Sequence, residues 1–247
     1  MANNFNVTVQ DDPKPPMPFS MIEGMMPMYP MIAMLGFLMV LIAVVVGYLQ
    51  LAPAELDFFA DAKAVREGAD VGSSFVNGNV SRHLIEAWVP SFKLLGLGLG
   101  LMAINMALGI IAKRLRLMGK VVNAHMPENL RPAIPEIPKK VKVMQMLAMM
   151  GVMTLVITFI VSLVMMGVAS SYWDNSIANT LNPAQAGSEL LTQLGTLSSY
   201  NAWLAPLRIV GMGMLFTGIL IALSVIIYNL RVQSELLVDF TRRAEKR

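Results

Sequence analysis

The chain has 247 residues, of which 55% are hydrophobic and 14% are charged. Soluble domains carry about 25% charged residues, so this composition excludes an ordinary soluble globular protein. The net charge is +3 and there are no cysteines, which excludes disulfides, thiolate metal sites and cysteine nucleophiles.

The N-terminal tail, residues 1–27, is polar and contains several prolines, and it shows no periodicity that predicts a domain. Four long apolar runs follow it. They are Met28–Leu51, Ser91–Lys113, Met144–Val168 and Leu204–Asn229. Each is long enough to cross a bilayer, which takes about 20 helical residues. The sequence therefore predicts an all-α integral membrane protein with four transmembrane helices.

The distribution of lysine and arginine predicts the orientation of these spans. Both are frequent between the second and third spans and in the C-terminal tail, whereas residues 169–203 contain neither. We therefore expect both termini on the cytoplasmic side, in a bacterial inner membrane, with external loops at 52–90 and 169–203. Short amphipathic helices are predicted in these loops, over 53–66 and 188–194.

Two basic segments complete the predicted organisation. Residues 121–142 form a proline-rich connector, for which we expect an extended conformation. Residues 236–247 form a basic tail, and the pattern from Leu230 onward favours a helix that continues the fourth span. The cations in both segments suit anionic lipid headgroups at the cytoplasmic face.

An internal repeat relates the two halves of the chain at an offset of 115 residues. The segment that begins Ala87-Trp88 and contains Lys93 and Gly96 recurs with Trp203, Arg208 and Gly211. This predicts two tandem helical hairpins, residues 28–120 and 143–235. Two spans per hairpin give both copies the same orientation, so we expect a pseudo-twofold axis along the membrane normal.

Small residues recur at matched positions inside the spans, among them Gly36, Gly96, Gly151 and Gly211. Small residues allow membrane helices to approach closely, so these glycines are predicted to pack helices together. A glycine-lined pore would need polar partners, and the spans contain few. Asn105 is the clearly polar residue deep in a span, and it is predicted to make an interhelical hydrogen bond.

The outer ends of the spans carry aromatic and cationic residues. Trp88, Trp173 and Trp203 are predicted interfacial anchors. Lys93 and Arg208 have two interpretations. They either extend to the outer headgroups, or they bind an anion, a lipid headgroup or an acidic partner.

Methionine is the remaining candidate for chemistry, with 22 residues. Thioethers suit Cu(I), and Met25, Met28 and Met31 lie three residues apart, although methionine also fills gaps between apolar helices. His83 and His125 have no companion at metal-ligand spacing, and both are predicted to be solvated or interfacial.

The spans contain no Asp or Glu, which argues against a proton-driven transporter. No nucleophile–base pair, phosphate loop or cofactor motif is present, so we expect neither an enzyme nor a bound cofactor. The favoured hypothesis is a structural or accessory subunit that packs against other membrane subunits and lipid. We do not expect it to bind nucleic acid. The alternatives are a channel or transporter for a small solute, and Cu(I) handling in support of a membrane copper enzyme.

Overall fold

The structure, a computed structural model, describes Ser20 and residues 24–126 and 139–245. Its regular structure in these ranges is helical, without strands. Four helices are long and apolar enough to cross a membrane, which confirms the all-α class and the four predicted spans. Most of the predicted N-terminal tail, most of the proline-rich connector and the last two residues of the basic tail lie outside the described residues.

The first span is α1 (Tyr29–Val46), which is entered through a 3-10 turn at Met26–Met28 and left through a π-helical turn at Gly47–Leu51. α2 (Ala52–Ala60) continues directly from it, and α3 (Lys63–Glu67) follows. The single helix predicted over 53–66 is therefore wrong in one respect. Asp61 and Ala62 are extended and divide it in two, since Asp is a weak helix former.

The second span is the middle of α4 (Ser74–His125), a helix of 52 residues. Gly72 takes a φ of 82° in the turn before it, and the Ser73 hydroxyl caps the helix by accepting from the Val76 amide at 3.3 Å. The helix passes through Pro90 without ending. The second half of the predicted loop 52–90 is therefore an extension of the membrane helix.

The third span is α5 (Lys140–Trp173), and two short helices follow it, α6 (Ile177–Leu181) and α7 (Pro183–Ala186). The last helix, α8 (Ser188–Glu245), has 58 residues and contains Pro206. The short helix predicted over 188–194 is thus the first part of α8 rather than a separate element. The predicted continuation beyond Leu230 is present as far as Glu245.

The chain forms two compact units, and each takes part of every long helix. Within the described residues, the basic-end unit comprises residues 24–32, 101–126, 139–149 and 215–245. The loop-end unit comprises Ala33–Gly100 and Met150–Met214. Each predicted hairpin, residues 28–120 and 143–235, contributes to both units.

Candidate functional site

Three polar side chains meet between the long helices of the loop-end unit, and we call them the Ser–Arg cluster: Ser91, Ser162 and Arg208. The Ser162 hydroxyl donates to the Thr158 carbonyl oxygen at 2.8 Å, and Arg208 Nη2 donates to the same hydroxyl at 3.2 Å. A hydroxyl has one proton to donate, so Ser91 is the donor in its hydrogen bond with Ser162. Both serines are fully buried, and the cluster therefore fixes the position of the guanidinium group.

The charge of Arg208 is not balanced by the described part of the chain. Its Nε is buried without a hydrogen-bond partner, and no described carboxylate pairs with it. Ser162, which accepts from its Nη2, lies six residues before the end of the third apolar run at Val168. At 1.5 Å per residue this is about 9 Å from the end of that run, whereas Arg208 is about 6 Å from the start of the fourth run at Leu204 and Ser91 is the first residue of the second run. The cluster therefore lies in the outer part of the apolar layer. An ionised group at such a depth is costly unless it is paired.

Lys93 occupies the position that matches Arg208 in the sequence repeat, but its surroundings differ. Its side chain is exposed, whereas Arg208 is half-buried. The position that corresponds to Ser162 is Gly47, which has no hydroxyl to hold a cation. The two candidate cations are therefore chemically unequal, and Arg208 is the one held between helices.

Glycines bring two pairs of long helices into backbone contact in the loop-end unit. A Cβ on Gly36 of α1 would lie 2.5 Å from the carbonyl oxygen of Gly96 on α4. A Cβ on Gly211 of α8 would lie 3.2 Å from the carbonyl oxygen of Gly151 on α5. All four glycines predicted to pack helices thus lie at close contacts, α1 with α4 and α5 with α8.

The three tryptophans have different environments. Trp88 is half-buried and contacts Phe92, with 5.3 Å between ring centroids. Trp203 is exposed beside Tyr200. Trp173 is the last residue of α5. It stacks on His83 with 3.6 Å between ring centroids, so its ring packs against another part of the chain.

A second polar assembly, the Arg82 cap, lies in the loop-end unit and was not predicted. Arg82 is 8% exposed. It pairs with Glu55 at 3.0 Å, and its guanidinium carbon lies 4.3 Å from the centroid of the Phe58 ring. Phe58 in turn stacks on Phe75 at 5.3 Å. The cap therefore ties α2 to the first turns of α4.

His83 belongs to the same cap, so it is largely enclosed rather than solvated, and the interfacial alternative stays a prediction. Its Nε2 lies 3.0 Å from Arg82 Nη2, and its Nδ1 lies 3.0 Å from Glu86 Oε2. Arginine only donates hydrogen bonds, so Nε2 is the acceptor and the ring proton is on Nδ1, directed at Glu86. The hydrogen bonds and the stacking on Trp173 place the ring inside the cap.

Comparison of the chain with protein-family models, with curated proteins and with solved structures returns no match. Its function is therefore inferred from the contacts of its own side chains. Among the described residues, no three His, Cys, Asp or Glu side chains are grouped so that they would hold a metal ion.

The three methionines that are candidate Cu(I) ligands have exposed side chains. Met25, Met28 and Met31 are 42%, 45% and 68% exposed. Met26 is instead buried, and its Sδ lies 3.5 Å from a Cβ built on Gly109, with the Met144 methyl carbon 3.7 Å from the same point. These two side chains fill the space above a glycine, which is the ordinary packing role of methionine. Cu(I) binding stays a prediction.

Side-chain amides connect α4 with α8 in the basic-end unit. Asn105 is 3% exposed, and its Nδ2 donates to the carbonyl oxygens of Leu101 and Leu215, at 3.2 and 3.1 Å. In the opposite direction, Asn229 donates to the Ala112 carbonyl at 3.2 Å and Gln233 donates to the Leu115 carbonyl. The interhelical hydrogen bond predicted for Asn105 is confirmed, and it serves packing.

The contact at Gly218 provides a test of this amide. A Cβ there would lie 3.0 Å from Asn105 Oδ1, whereas a Cβ on Gly213 of the same helix would have no neighbour within 4 Å. We expect Gly218→Ala to be about 1 kcal/mol less stable than Gly213→Ala, because the displaced carboxamide loses a buried hydrogen bond. Unfolding of both variants in mixed micelles measures the difference, and equal stabilities would show that the amide contributes nothing.

Proposed function

We propose that this chain is a non-catalytic accessory subunit of a larger membrane assembly, in which it packs against and stabilises other membrane subunits. The observation that carries the proposal is Arg208. Its guanidinium is held by a serine hydroxyl inside the apolar layer, and the described residues supply no carboxylate for it. A partner that brings a carboxylate to this point would complete the site.

The proposal takes the ligand of Arg208 to be a protein carboxylate rather than a lipid phosphate. Lipid phosphates lie outside the hydrocarbon core, and two of the three cluster residues, Arg208 and Ser162, lie about 6 Å and about 9 Å inside the ends of their apolar runs, while Ser91 begins its run. Opposite charges in a low dielectric attract strongly, and each one relieves the desolvation cost of the other. An Asp or Glu on a partner's membrane helix therefore fits better than a headgroup.

The first helix offers a second surface for such a partner. Only 11% of its apolar stretch is buried against the rest of the chain, and Met34 and Phe37 are among its exposed side chains. Lipid tails cover a face like this as well as a partner helix does. The exposed face of the first helix is therefore compatible with the proposal but does not distinguish a partner from lipid. The main support for the proposal is the charge of Arg208.

The finer architecture is part of the same proposal. The contacts Gly36–Gly96 and Gly151–Gly211 are separated by the 115-residue offset of the repeat, which supports two duplicated hairpins with one orientation. The basic ends, which include Lys113 and Arg114, support a cytoplasmic location for that side of a bacterial inner membrane. Anionic lipid headgroups suit the same cations.

The test compares Arg208→Leu with its repeat counterpart, Lys93→Leu. We expect wild type and Lys93→Leu to co-purify with other membrane subunits from native membranes in mild detergent. Arg208→Leu is expected to lose most of them, since the partner's carboxylate would be left buried without its cation, at a cost of about 3 kcal/mol or more. Mass spectrometry of the purified material identifies the subunits.

Two outcomes would overturn the proposal. One is a wild-type preparation that contains this 27.0 kDa chain alone. The other is an Arg208→Leu variant that retains every subunit in normal amount. Circular dichroism of the purified variants establishes that a lost partner does not reflect a lost fold.

A further inference from the structure

A groove opens between α4 and α8 in the basic-end unit, beyond the last residues of the apolar runs. Its volume is about 130 Å³. The lining includes Met118, Val122 and Met126 of α4, and Gln233, Leu236 and Leu237 of α8. We call it the α4–α8 groove. Gly119 forms part of its floor, where an added Cβ would meet Gln233 Nε2 at an ordinary contact distance of 3.6 Å.

The walls of the groove are apolar and open to the surroundings. Met118, Val122 and Leu237 are all exposed. In the apolar spans such exposure is expected, because lipid covers it. The groove, however, belongs to a part of the chain where the sequence has become charged, and the described residues leave its apolar walls without a cover.

The position of the groove along α4 argues against a lipid tail as that cover. Lys113 ends the second apolar run, and the lining extends from Met118 to Met126. At 1.5 Å per residue, the groove begins about 7 Å and ends about 20 Å beyond Lys113. The headgroup layer on one side of a bilayer is about 5–8 Å thick. Most of the groove therefore lies past the headgroups, where lipid tails do not reach.

The charge beside the groove indicates the chemistry of its occupant. Residues 113–126 carry four cations, Lys113, Arg114, Arg116 and Lys120, and no carboxylate. Residues 231–243 of the other wall carry three cations and two carboxylates, so the two walls together are net positive, which favours a bound segment with acidic residues next to its apolar ones. Amphipathic helices bind grooves in this way, with apolar side chains at helical spacing as anchors.

We propose that the α4–α8 groove is a docking site for an acidic amphipathic segment of a partner protein. The apolar side chains of this segment fill the groove, and the Asp and Glu side chains of the segment face the cations of α4. The inference rests on the proposed accessory function, and it adds a second contact with a partner, outside the membrane and independent of Arg208.

Because the chain has no cysteine, single-cysteine variants test the proposal directly. Val122→Cys places a thiol in the groove. Ile111→Cys is the matched control, an exposed position on the apolar part of α4, eleven residues earlier on the same face. Each variant is labelled with a benzophenone maleimide in native membranes and illuminated. We expect a protein adduct from Val122→Cys, joined to a segment that combines apolar and acidic residues, and a lipid adduct from Ile111→Cys.

Three further variants, made in the Val122→Cys background, test shape and charge. Gly119→Leu is expected to remove most of the protein adduct, because its side chain projects toward Gln233 and occupies the groove. Arg114→Glu is expected to reduce the adduct several-fold, whereas Arg114→Lys keeps it. Monodispersity and helix content are measured for each variant, so that a misfolded chain is recognised.

Every other adduct pattern overturns the inference. A lipid adduct from Val122→Cys shows that the groove holds lipid, and an adduct of twice the chain mass shows that a second copy occupies it. No adduct, or one that Gly119→Leu leaves unchanged, shows that the groove has no protein occupant. If co-purification with membrane subunits persists in these cases, the accessory function stands while the docking site fails. If the wild-type chain purifies alone, the accessory function itself fails.

Discussion

Gly96→Ala is expected to be about 1–3 kcal/mol less stable than Gly100→Ala, the same change one helical turn further along α4. A Cβ on Gly96 would lie 2.8 Å from the Gly36 carbonyl oxygen and 2.9 Å from the Met39 Cβ, so α1 must move away. A Cβ on Gly100 has no neighbour within 4 Å. Both changes gain the same helix propensity, so the difference between them isolates the steric cost.

The second glycine contact extends this prediction into a series. A Cβ on Gly211 would meet the Leu155 side chain at 3.1 Å and the Gly151 carbonyl oxygen at 3.2 Å. The wider gap and the flexible leucine predict a loss between those of Gly96→Ala and Gly100→Ala. The free energies of unfolding in mixed micelles, followed by circular dichroism, give the order. Equal values for Gly96→Ala and Gly100→Ala would mean that the α1–α4 contact does not limit stability.

Arg82→Leu is expected to lower the free energy of unfolding by about 2 kcal/mol. The substitution removes a charge-assisted hydrogen bond to Glu55, worth about 1.5–3 kcal/mol, and a cation–π contact with Phe58, worth about 1 kcal/mol. The Glu55 side chain is 34% exposed, and water that reaches its carboxylate offsets part of the loss. Leucine keeps part of the apolar stem, so the change mainly tests the charge.

The exposed pair Lys63–Glu67 is the matched control for Arg82. Its atoms lie 3.5 Å apart and the lysine side chain is 78% exposed, so Lys63→Leu is expected to change stability by less than about 0.5 kcal/mol. A double-mutant cycle of Arg82→Leu with Glu55→Gln isolates the coupling between the two charges. A coupling near zero would mean that the Arg82–Glu55 ion pair does not stabilise the cap.

Composition and apolar run length predicted the four long helices because a bilayer imposes those two properties directly. Apart from the continuation of the last helix beyond Leu230, the ends of the helices were not predicted. Proline inside a helix, as at Pro90 and Pro206, ends or kinks helices in soluble proteins, but membrane helices tolerate proline where neighbouring groups satisfy the freed backbone. α4 and α8 continue through both prolines, and the apolar pattern does not record how far a helix extends into water.

The polar sites depend on residues that are distant in sequence. Ser91 and Ser162 are 71 residues apart, and Glu55 and Arg82 are 27 apart. In both pairs, the sequence around one residue does not indicate which distant residue it contacts. Matching the two repeats did select Arg208, but it also selected Lys93, because a repeat preserves charge without recording which neighbour has a hydroxyl. The glycines were found because close helix packing imposes a local requirement for small residues.

The limited burial of α1 has a consequence for the order in which the molecule comes apart. A helix in a bilayer keeps its backbone hydrogen bonds after it leaves its neighbours, so breaking the Gly36–Gly96 contact releases an intact helix. The buried share of the apolar stretch of α1 is 11%, against 39% for α4, so releasing α1 exposes less packed surface. We therefore expect α1 to dissociate first, as a separate cooperative step, while the other three spans remain associated.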